Sequence, residues 1–341
     1  MADLERRILV TGAVGQIGSE LTAALRERYG GEHVVAVGHL TEPSETLRNG
    51  GPFATCDVRD TAALAHLVDA YDVDTIYHMA AILSAAGERD PMLAWDVNVN
   101  GLVSVLEVAR VRGLAKVFVP SSIAVFGPDT PRELAPQDVA LHPTTMYGVS
   151  KVVGESLAAY YRNEYGMDVR GIRYPGIVSH ETLPGGGTTD YAVEIFYAAD
   201  ATGQYQCFVR EDTVLPMMYM PDCIRATLDL MDAPCECLSV PSRYNVAGMS
   251  FSAGELAETI QHHLPGFVCS FVPDERQRIA DSWPQSLDDR RARRDWGWSP
   301  SFGVKEMVAD MIEKIAGRSC GVTEEGVDAT GSPCLTRSAA V

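Results

Sequence analysis

Long apolar runs are missing from this chain of 341 residues. None reaches the roughly 18 to 20 residues that cross a bilayer, and the polar opening Met1-Ala2-Asp3-Leu4-Glu5 lacks a signal-peptide core. A cytoplasmic location is therefore the expectation. Paired C-x-x-C units are missing as well, the eight cysteines standing apart at 56, 207, 223, 235, 237, 269, 320 and 334. Only Cys235-Glu236-Cys237 brings two of them close, and neither that spacing nor His262-His263 matches a metal-ligand pattern. Free thiols in a reducing compartment, with no metal, are expected. Positive charge is scarce too: Lys plus Arg number 28 against 46 Asp plus Glu, a formal charge of −18. That balance repels a phosphate polymer and argues against a nucleic-acid partner. The densest basic cluster, Arg290 to Arg294, is flanked by Asp288, Asp289 and Asp295, as on a solvated helix face. Internal repeats are absent.

What is present is a composition able to bury a large core, 46% apolar. Short apolar runs at Ile8 to Val10, Val34 to Val37, Thr75 to His78, Val117 to Pro120 and Val169 to Tyr174 alternate with helical patterns. The helices fall near 16 to 29, 61 to 70, 91 to 112 and 146 to 165. This alternation predicts a doubly wound α/β fold, a parallel Rossmann-type sheet covered on both faces. After Tyr174-Pro175 the alternation stops, and a loop from Leu183 to Asp190, rich in Pro and Gly, opens a less regular half. Helices are expected there near 190 to 202, 221 to 232, 253 to 263 and 303 to 316, with Tyr244-Asn245-Val246 as a further strand. The expected division is a dinucleotide-binding part, residues 1–175 and about 204–246, and a smaller substrate lobe, about 176–203 and 247–317. The composition of 318–341 suggests a mobile tail.

The first strand runs directly into Thr11-Gly12-Ala13-Val14-Gly15-Gln16-Ile17-Gly18 and then a helix. In that setting Gly12 permits a tight turn, Gly15 lets backbone amides approach a pyrophosphate, and Gly18 lets the helix pack on the strand. The helix N-terminus favours the negative charge. A packing turn without a ligand uses the same residues. A carboxylate for the adenosine ribose belongs about 20 residues further on, yet the second strand ends in Gly38-His39, with neither an acid nor an Arg. Asp57-Val58, after the third strand, offers either an adenine contact or a surface acid.

Further along, Tyr147-Gly148-Val149-Ser150-Lys151 lies in a helical pattern. Residues four apart share a helix face, so Tyr147 and Lys151 stand side by side. A nearby ammonium favours the phenolate and lowers a phenol pKa from its ordinary value near ~10, toward use as a general base. The same spacing also describes a half-buried Tyr beside a solvated Lys. Its company is what gives it meaning: Ser121-Ser122 at a strand end and the glycine-rich turn, each in chain order.

Together these residues resemble the extended short-chain dehydrogenase/reductase superfamily, which includes the nucleotide-sugar epimerases, over roughly residues 7 to 316. Asn98-Val99-Asn100-Gly101 resembles the superfamily's mid-domain motif, which implies that Asn98 helps fix the active-site geometry. Ser122 falls where the family's catalytic Ser or Thr lies, four residues before Phe126-Gly127. A narrower resemblance, to L-threonine 3-dehydrogenases of the short-chain type, rests on Pro120 to Pro128, Arg173 to Ile177, Pro184 through Phe196, Leu215 to Asp222 and Ser282-Trp283-Pro284. Gly38-His39 and the tail depart from it.

The resemblance implies a metal-free, NAD-dependent oxidation of the L-threonine 3-hydroxyl to 2-amino-3-oxobutyrate. Tyr147 would be the base, with Lys151 lowering its pKa and Ser122 donating to the reacting oxygen. It further implies cofactor contacts at Gly12, Gly15, Gln16, Ile17 and Gly18, and at Asp57, Val58, Ala80, Lys151, Tyr174 and Pro175. Substrate contacts would fall on Ser84, Ser121, Ser122, Tyr147, Thr188, Thr189 and Trp283. Gly185-Gly186-Gly187 would be either a lid closing on threonine or a flexible connection. The rivals are a nucleotide-sugar epimerase or dehydratase, with Arg276 and Arg291 supplying charge for a diphosphate, and a non-catalytic NAD(P)-sensing regulator. Apolar residues on more than one face of the helices near 91 to 112 and 146 to 165 suggest a homodimer, although burial within one chain produces the same pattern.

Overall fold

A computed structural model of the protein describes residues 6–183 and 185–321. The first half of the chain alternates strand and helix. Its strands are β1 (Ile8–Thr11), β2 (Val34–Gly38), β3 (Phe53–Thr55), β4 (Thr75–His78), β5 (Lys116–Phe118), β6 (Ser121–Ser122), β7 (Val169–Arg170) and β8 (Ile172–Tyr174). The helices among them are α1 (Gln16–Tyr29), α2 (Glu45–Asn49), α3 (Thr61–Ala70), α4 (Ser84–Arg89), α5 (Pro91–Trp95), α6 (Gly101–Arg112) and α7 (Met146–Tyr165). The second half adds β9 (Gly176–Val178), α8 (Tyr191–Thr202), β10 (Gln204–Cys207), β11 (Val214–Tyr219), α9 (Met220–Asp232), β12 (Tyr244–Asn245), β13 (Met249–Ser252), α10 (Ala253–His263) and β14 (Val268–Phe271).

Six strands form one parallel sheet in the order β3-β2-β1-β4-β5-β7. Alternation along each strand sends side chains to two different cores. Ile8, Val10, Val34 and Ala36 pack on α1 and α9, while Leu9, Val35, Val37 and Ile76 pack on α3, α6 and α7. Because both faces are covered, these strands read as continuous apolar runs. A third core lies under α8 and α10, β11 and the terminal helix Val304–Gly321. That helix continues past the expected end at 316 into the stretch read as a tail; residues 322–341 lie outside the described residues.

Three expectations need correction. Val169 to Tyr174 is not one strand: β7 pairs with β5, whereas β8 pairs with β6 and β12. The chain changes partners at Gly171, whose amide bonds the Pro241 carbonyl. Tyr244-Asn245 accordingly joins the short β6-β8-β12 sheet and not the six-stranded one. The helix expected over 91 to 112 is continuous in path but widens to π winding at Asp96–Asn100. The segment Pro91–Arg112 is long and apolar enough to cross a membrane, but more than half of it is buried inside the protein, as befits a core helix.

One buried cation ties the layers together. Arg170 donates through Nε and Nη2 to Asp168 (2.9 and 2.7 Å) and through Nη1 to the carbonyls of Leu230 and Ala233 (both 2.6 Å), at the C-terminal end of α9. These are the carbonyls a helix end leaves unpaired. Replacing Arg170 with Met is expected to lower stability by about 3 kcal/mol or more, read as a fall in the urea midpoint with an unchanged denaturant slope.

Candidate active site

One cleft opens at the carboxyl ends of β1 and β4, the point where strand order reverses and where α/β sheets bind ligands. At one end lies the turn after β1. Gly12 has φ +65°, and a Cβ there would sit 2.5 Å from the Ala80 amide nitrogen; a Cβ on Gly18 would sit 2.1 Å from the Gly12 carbonyl oxygen. Only glycine at both positions lets β1, α1 and the chain after β4 come this close. Gly15 caps α1 without a side-chain hydrogen bond, and the first turn of α1 contains no acid. The first amides of α1 are thus left for an anion. The Gln16 Nε2 beside them is buried with no partner, a donor in want of an acceptor. These features fit a dinucleotide pyrophosphate.

In the middle of the cleft stand Ser122, Tyr147 and Lys151. Two local features bring them there. Thr145 accepts from the Gly148 amide (3.0 Å) and so starts α7 just before Tyr147. Gly148 then presses against the turn after β6, where a Cβ would come within 2.2 Å of the Ala124 carbonyl oxygen. Ser122 lies beside the Tyr147 hydroxyl, while its own Oγ accepts from the Ala124 amide (3.2 Å). Lys151 Nζ donates to the Pro120 carbonyl (2.8 Å) and lies 5.4 Å from the centre of the Tyr147 ring.

The expected lowering of the Tyr147 pKa by Lys151 is not what this geometry produces. Burial pushes the phenol up to about 12, with Ser122 pulling the other way. Burial likewise brings the Lys151 ammonium down to about 8, against the field of Glu155. Desolvation outweighs the attraction between neighbours because both groups sit in a crowded wall and the ammonium is already spent on a carbonyl.

At the far end, Ser84 and Thr188 share a buried hydroxyl-hydroxyl bond of 3.1 Å across the cleft. Thr189 and Trp283 complete the wall. Arg132 Nη1 holds the Trp283 segment by donating to the carbonyls of Asp281 (2.6 Å) and Trp283 (2.9 Å). Asp190, overlooked in the sequence, lines the cleft as well. Its carboxylate accepts the Gly186 and Gly187 amides (2.9 and 2.7 Å), and burial pushes its pKa up to about 6. Its place just before α8, after two threonines, is a capping position that the sequence does display.

Other expected site residues stand elsewhere. Ser121 is at the cleft wall, but its hydroxyl donates to Glu155 (2.6 Å). Tyr174 and Pro175 border the cleft, while the Tyr174 hydroxyl turns inward to Thr227. Asn98 sits behind the wall in the π segment; its amide bonds both the amide and the carbonyl of Ile82 (2.8 and 3.0 Å) and the Ser150 hydroxyl (3.1 Å). Ala80 backs onto Gly12. Val58 is buried under Gly101. Asp57 is gripped by Arg59 (2.6 Å), with His39 at 3.7 Å, and its carboxyl is held down at about 2. Gly38, where an acid is usual, is crowded: a Cβ would lie 2.9 Å from the Phe53 ring, which would have to shift to admit a side chain. Arg276 and Arg291 are paired with Asp274 and Asp138 and do not line the cleft.

The NAD dependent epimerase/dehydratase family model matches residues 8–247. The chain belongs to this family. As a member of an NAD-dependent family, it takes NAD as its cofactor. It is 45% identical to the mitochondrial L-threonine 3-dehydrogenase of Bos taurus, covering 90% of this chain and 82% of that protein. It is also 45% identical to an uncharacterized epimerase/dehydratase of Staphylococcus haemolyticus, over 91% and 97% of the two chains. Among solved structures, the holo form of a GalE-like L-threonine dehydrogenase from Cupriavidus necator superposes with a TM-score of 0.88 at 49% identity, over 91% and 99%.

His78, at the end of β4, is fully buried, bonds Thr11 through Nδ1 (2.9 Å), and is held neutral with its pKa down at about 3. An unfolded histidine binds its proton near 6.5. Between those values the unfolded chain carries the extra proton, so this group's contribution to stability is lost as pH falls below about 6.5, at up to about 1.4 kcal/mol per pH unit. Urea midpoints measured from pH 7 to pH 4.5 should fall less steeply in His78→Asn than in the parent.

Proposed function

We propose that this chain oxidises the 3-hydroxyl of L-threonine to 2-amino-3-oxobutyrate with NAD. The observation that carries this reading is the single cleft that holds Ser122, Tyr147 and Lys151 between the glycine-rich turn and a small polar end formed by Ser84, Thr188, Thr189 and Asp190. The identity with L-threonine 3-dehydrogenases supports it. On this reading residues 1–175 and about 204–246 hold the cofactor, and about 176–203 and 247–317 hold the substrate.

Bound NAD supplies the acceptor for the hydride leaving the threonine carbinol carbon. Tyr147, acting as the phenolate, takes the hydroxyl proton, and Ser122, beside the Tyr147 hydroxyl, donates to the oxygen as it becomes a carbonyl. Lys151, 5.4 Å from the centre of the Tyr147 ring, would favour the phenolate once its ammonium turns from the Pro120 carbonyl toward it, and Asn98 holds the wall behind it. The substrate is a zwitterion. Ser84, Thr188 and Thr189 supply donors for its carboxylate, and Asp190, the carboxylate among the residues lining the cleft, accepts from its ammonium. The nucleotide-sugar reading has less support, since Arg276 and Arg291 are already neutralised by acids outside the cleft.

L-Threonine with NAD should give rising reduced-nicotinamide absorbance that a chelator leaves unchanged. Tyr147→Phe should lose about 100-fold or more in kcat with NAD affinity retained. Turnover of UDP-galactose without net NAD reduction would favour an epimerase instead, and retained threonine turnover in Tyr147→Phe would remove Tyr147 as the base.

The reading extends to a homodimer. Met92, Val111, Val149, Tyr160 and Tyr165 are exposed on α5, α6 and α7, an apolar face that a second copy would cover. A metagenomic relative at 51% identity, TM-score 0.88, is described as a monomeric L-threonine 3-dehydrogenase, so the family does not fix the answer. Sedimentation at micromolar concentration should give twice the chain mass, reduced to one in Tyr160→Glu; a monomeric parent ends the dimer reading.

A further inference from the structure

Lys151 borders a second space besides the cleft. A small cavity of about 20 Å³ lies behind it, bounded also by His78, Asn98, Ser121, Ser150 and Glu155. Glu155 stands one turn after Lys151 on α7, so both project from the same face. It is buried and fully engaged. Arg173 Nε and Nη2 each donate to it at 2.7 Å, and the Ser121 hydroxyl donates at 2.6 Å. Arg173 Nη1 in turn donates to the Gln137 carbonyl (3.0 Å) and to Asn245 Oδ1 (3.2 Å).

Stability is a poor account of such a pair, because buried ion pairs are often matched or exceeded by apolar residues of similar volume. Its placement offers a better one. The charged and titratable groups around Lys151 are Tyr147 and Glu155 on its own helix, His78 from β4, held neutral, and Asp190 in the lining of the cleft. Arg173 borders neither the cleft nor the cavity. Glu155 is therefore the carboxylate that shares a cavity with the ammonium, while Arg173 braces it from beyond. The field of Glu155 also opposes the loss of the Lys151 proton to burial. Through Ser121 the same carboxylate touches the strand that presents Ser122.

We infer that Glu155, clamped by Arg173 and Ser121, is a positioning residue for the reaction: it keeps Lys151 charged and couples α7 to the serine strand. The link to threonine oxidation rests on the function proposed above; the effect on Lys151 does not.

The lysines of this chain are Lys116, Lys151, Lys305 and Lys314, so carbon-13 lysine labelling allows each to be titrated by NMR in the full protein, with Lys151→Arg assigning the resonance. In Glu155→Gln the ammonium loses its neighbouring negative charge and gives up its proton at lower pH. The Lys151 midpoint is expected to fall by about one pH unit, and kcat by about twofold at pH 7 and close to tenfold near pH 9, with a smaller change in KM. Glu155→Asp should return both toward the parent. Since Gln leaves Arg173 buried without its partner, Glu155→Gln/Arg173→Met supplies a neutral, apolar replacement that keeps the fold, and the same downward shift is expected in it. An unmoved Lys151 midpoint in either folded variant overturns the inference. A shifted midpoint in a protein that fails to oxidise threonine upholds it and counts against the proposed function alone.

Discussion

The approach of α7 to the turn after β6 is the contact on which the rest of the site depends. Ser122 comes from a strand end, Tyr147 and Lys151 from a helix, and some twenty-five residues of chain separate them. They meet because Gly148 has no side chain to hold α7 off the Ala124 carbonyl, and because Thr145 starts the helix at the right place. Asn98 secures the other side of the helix through Ser150. With these contacts made, the helix axis and the strand end have little freedom left, and Ser122 and Tyr147 line the same cleft side by side.

That tight packing has an electrostatic cost. The wall that aligns the groups also removes water from them, and removal of water penalises whichever form is charged. Tyr147 is pushed toward the neutral phenol and Lys151 toward the neutral amine. If the cleft abstracts a proton as proposed, it needs compensating charge in its supporting layer, and Glu155 stands among the buried residues behind Lys151. His78 shows the same rule: burial, with the Lys151 charge adding to it, keeps the imidazole neutral, and it serves as a hydrogen-bonding part of the sheet end.

Much of the fold was legible because its pattern is local. Continuous apolar runs such as Ile8 to Val10 signal strands buried on both faces, and the glycine-rich turn follows from a backbone that must pass within van der Waals distance of its neighbours. The misreadings arose where pairing is decided at a distance. Nothing within Val169 to Tyr174 says that the hydrogen-bonding partner changes at Gly171, since that depends on where β5, β6 and β12 end up. Asp190 and Glu155 escaped notice for a similar reason. In sequence they are a capping acid and one more helical glutamate, and only burial beside other polar groups sets them apart.

The sequence by itself determined the alternating α/β order, the dinucleotide turn and the residue types able to exchange a proton, because these rest on periodicity, glycine stereochemistry and four-residue helical spacing. Only the tertiary structure decided which hydroxyls reach the cleft. Ser121 and Ser122 are adjacent and chemically identical, yet one is turned to Glu155 and the other to Tyr147. Alternation along a strand sends neighbours to opposite sides, and what lies on each side is set by chain segments far away in sequence.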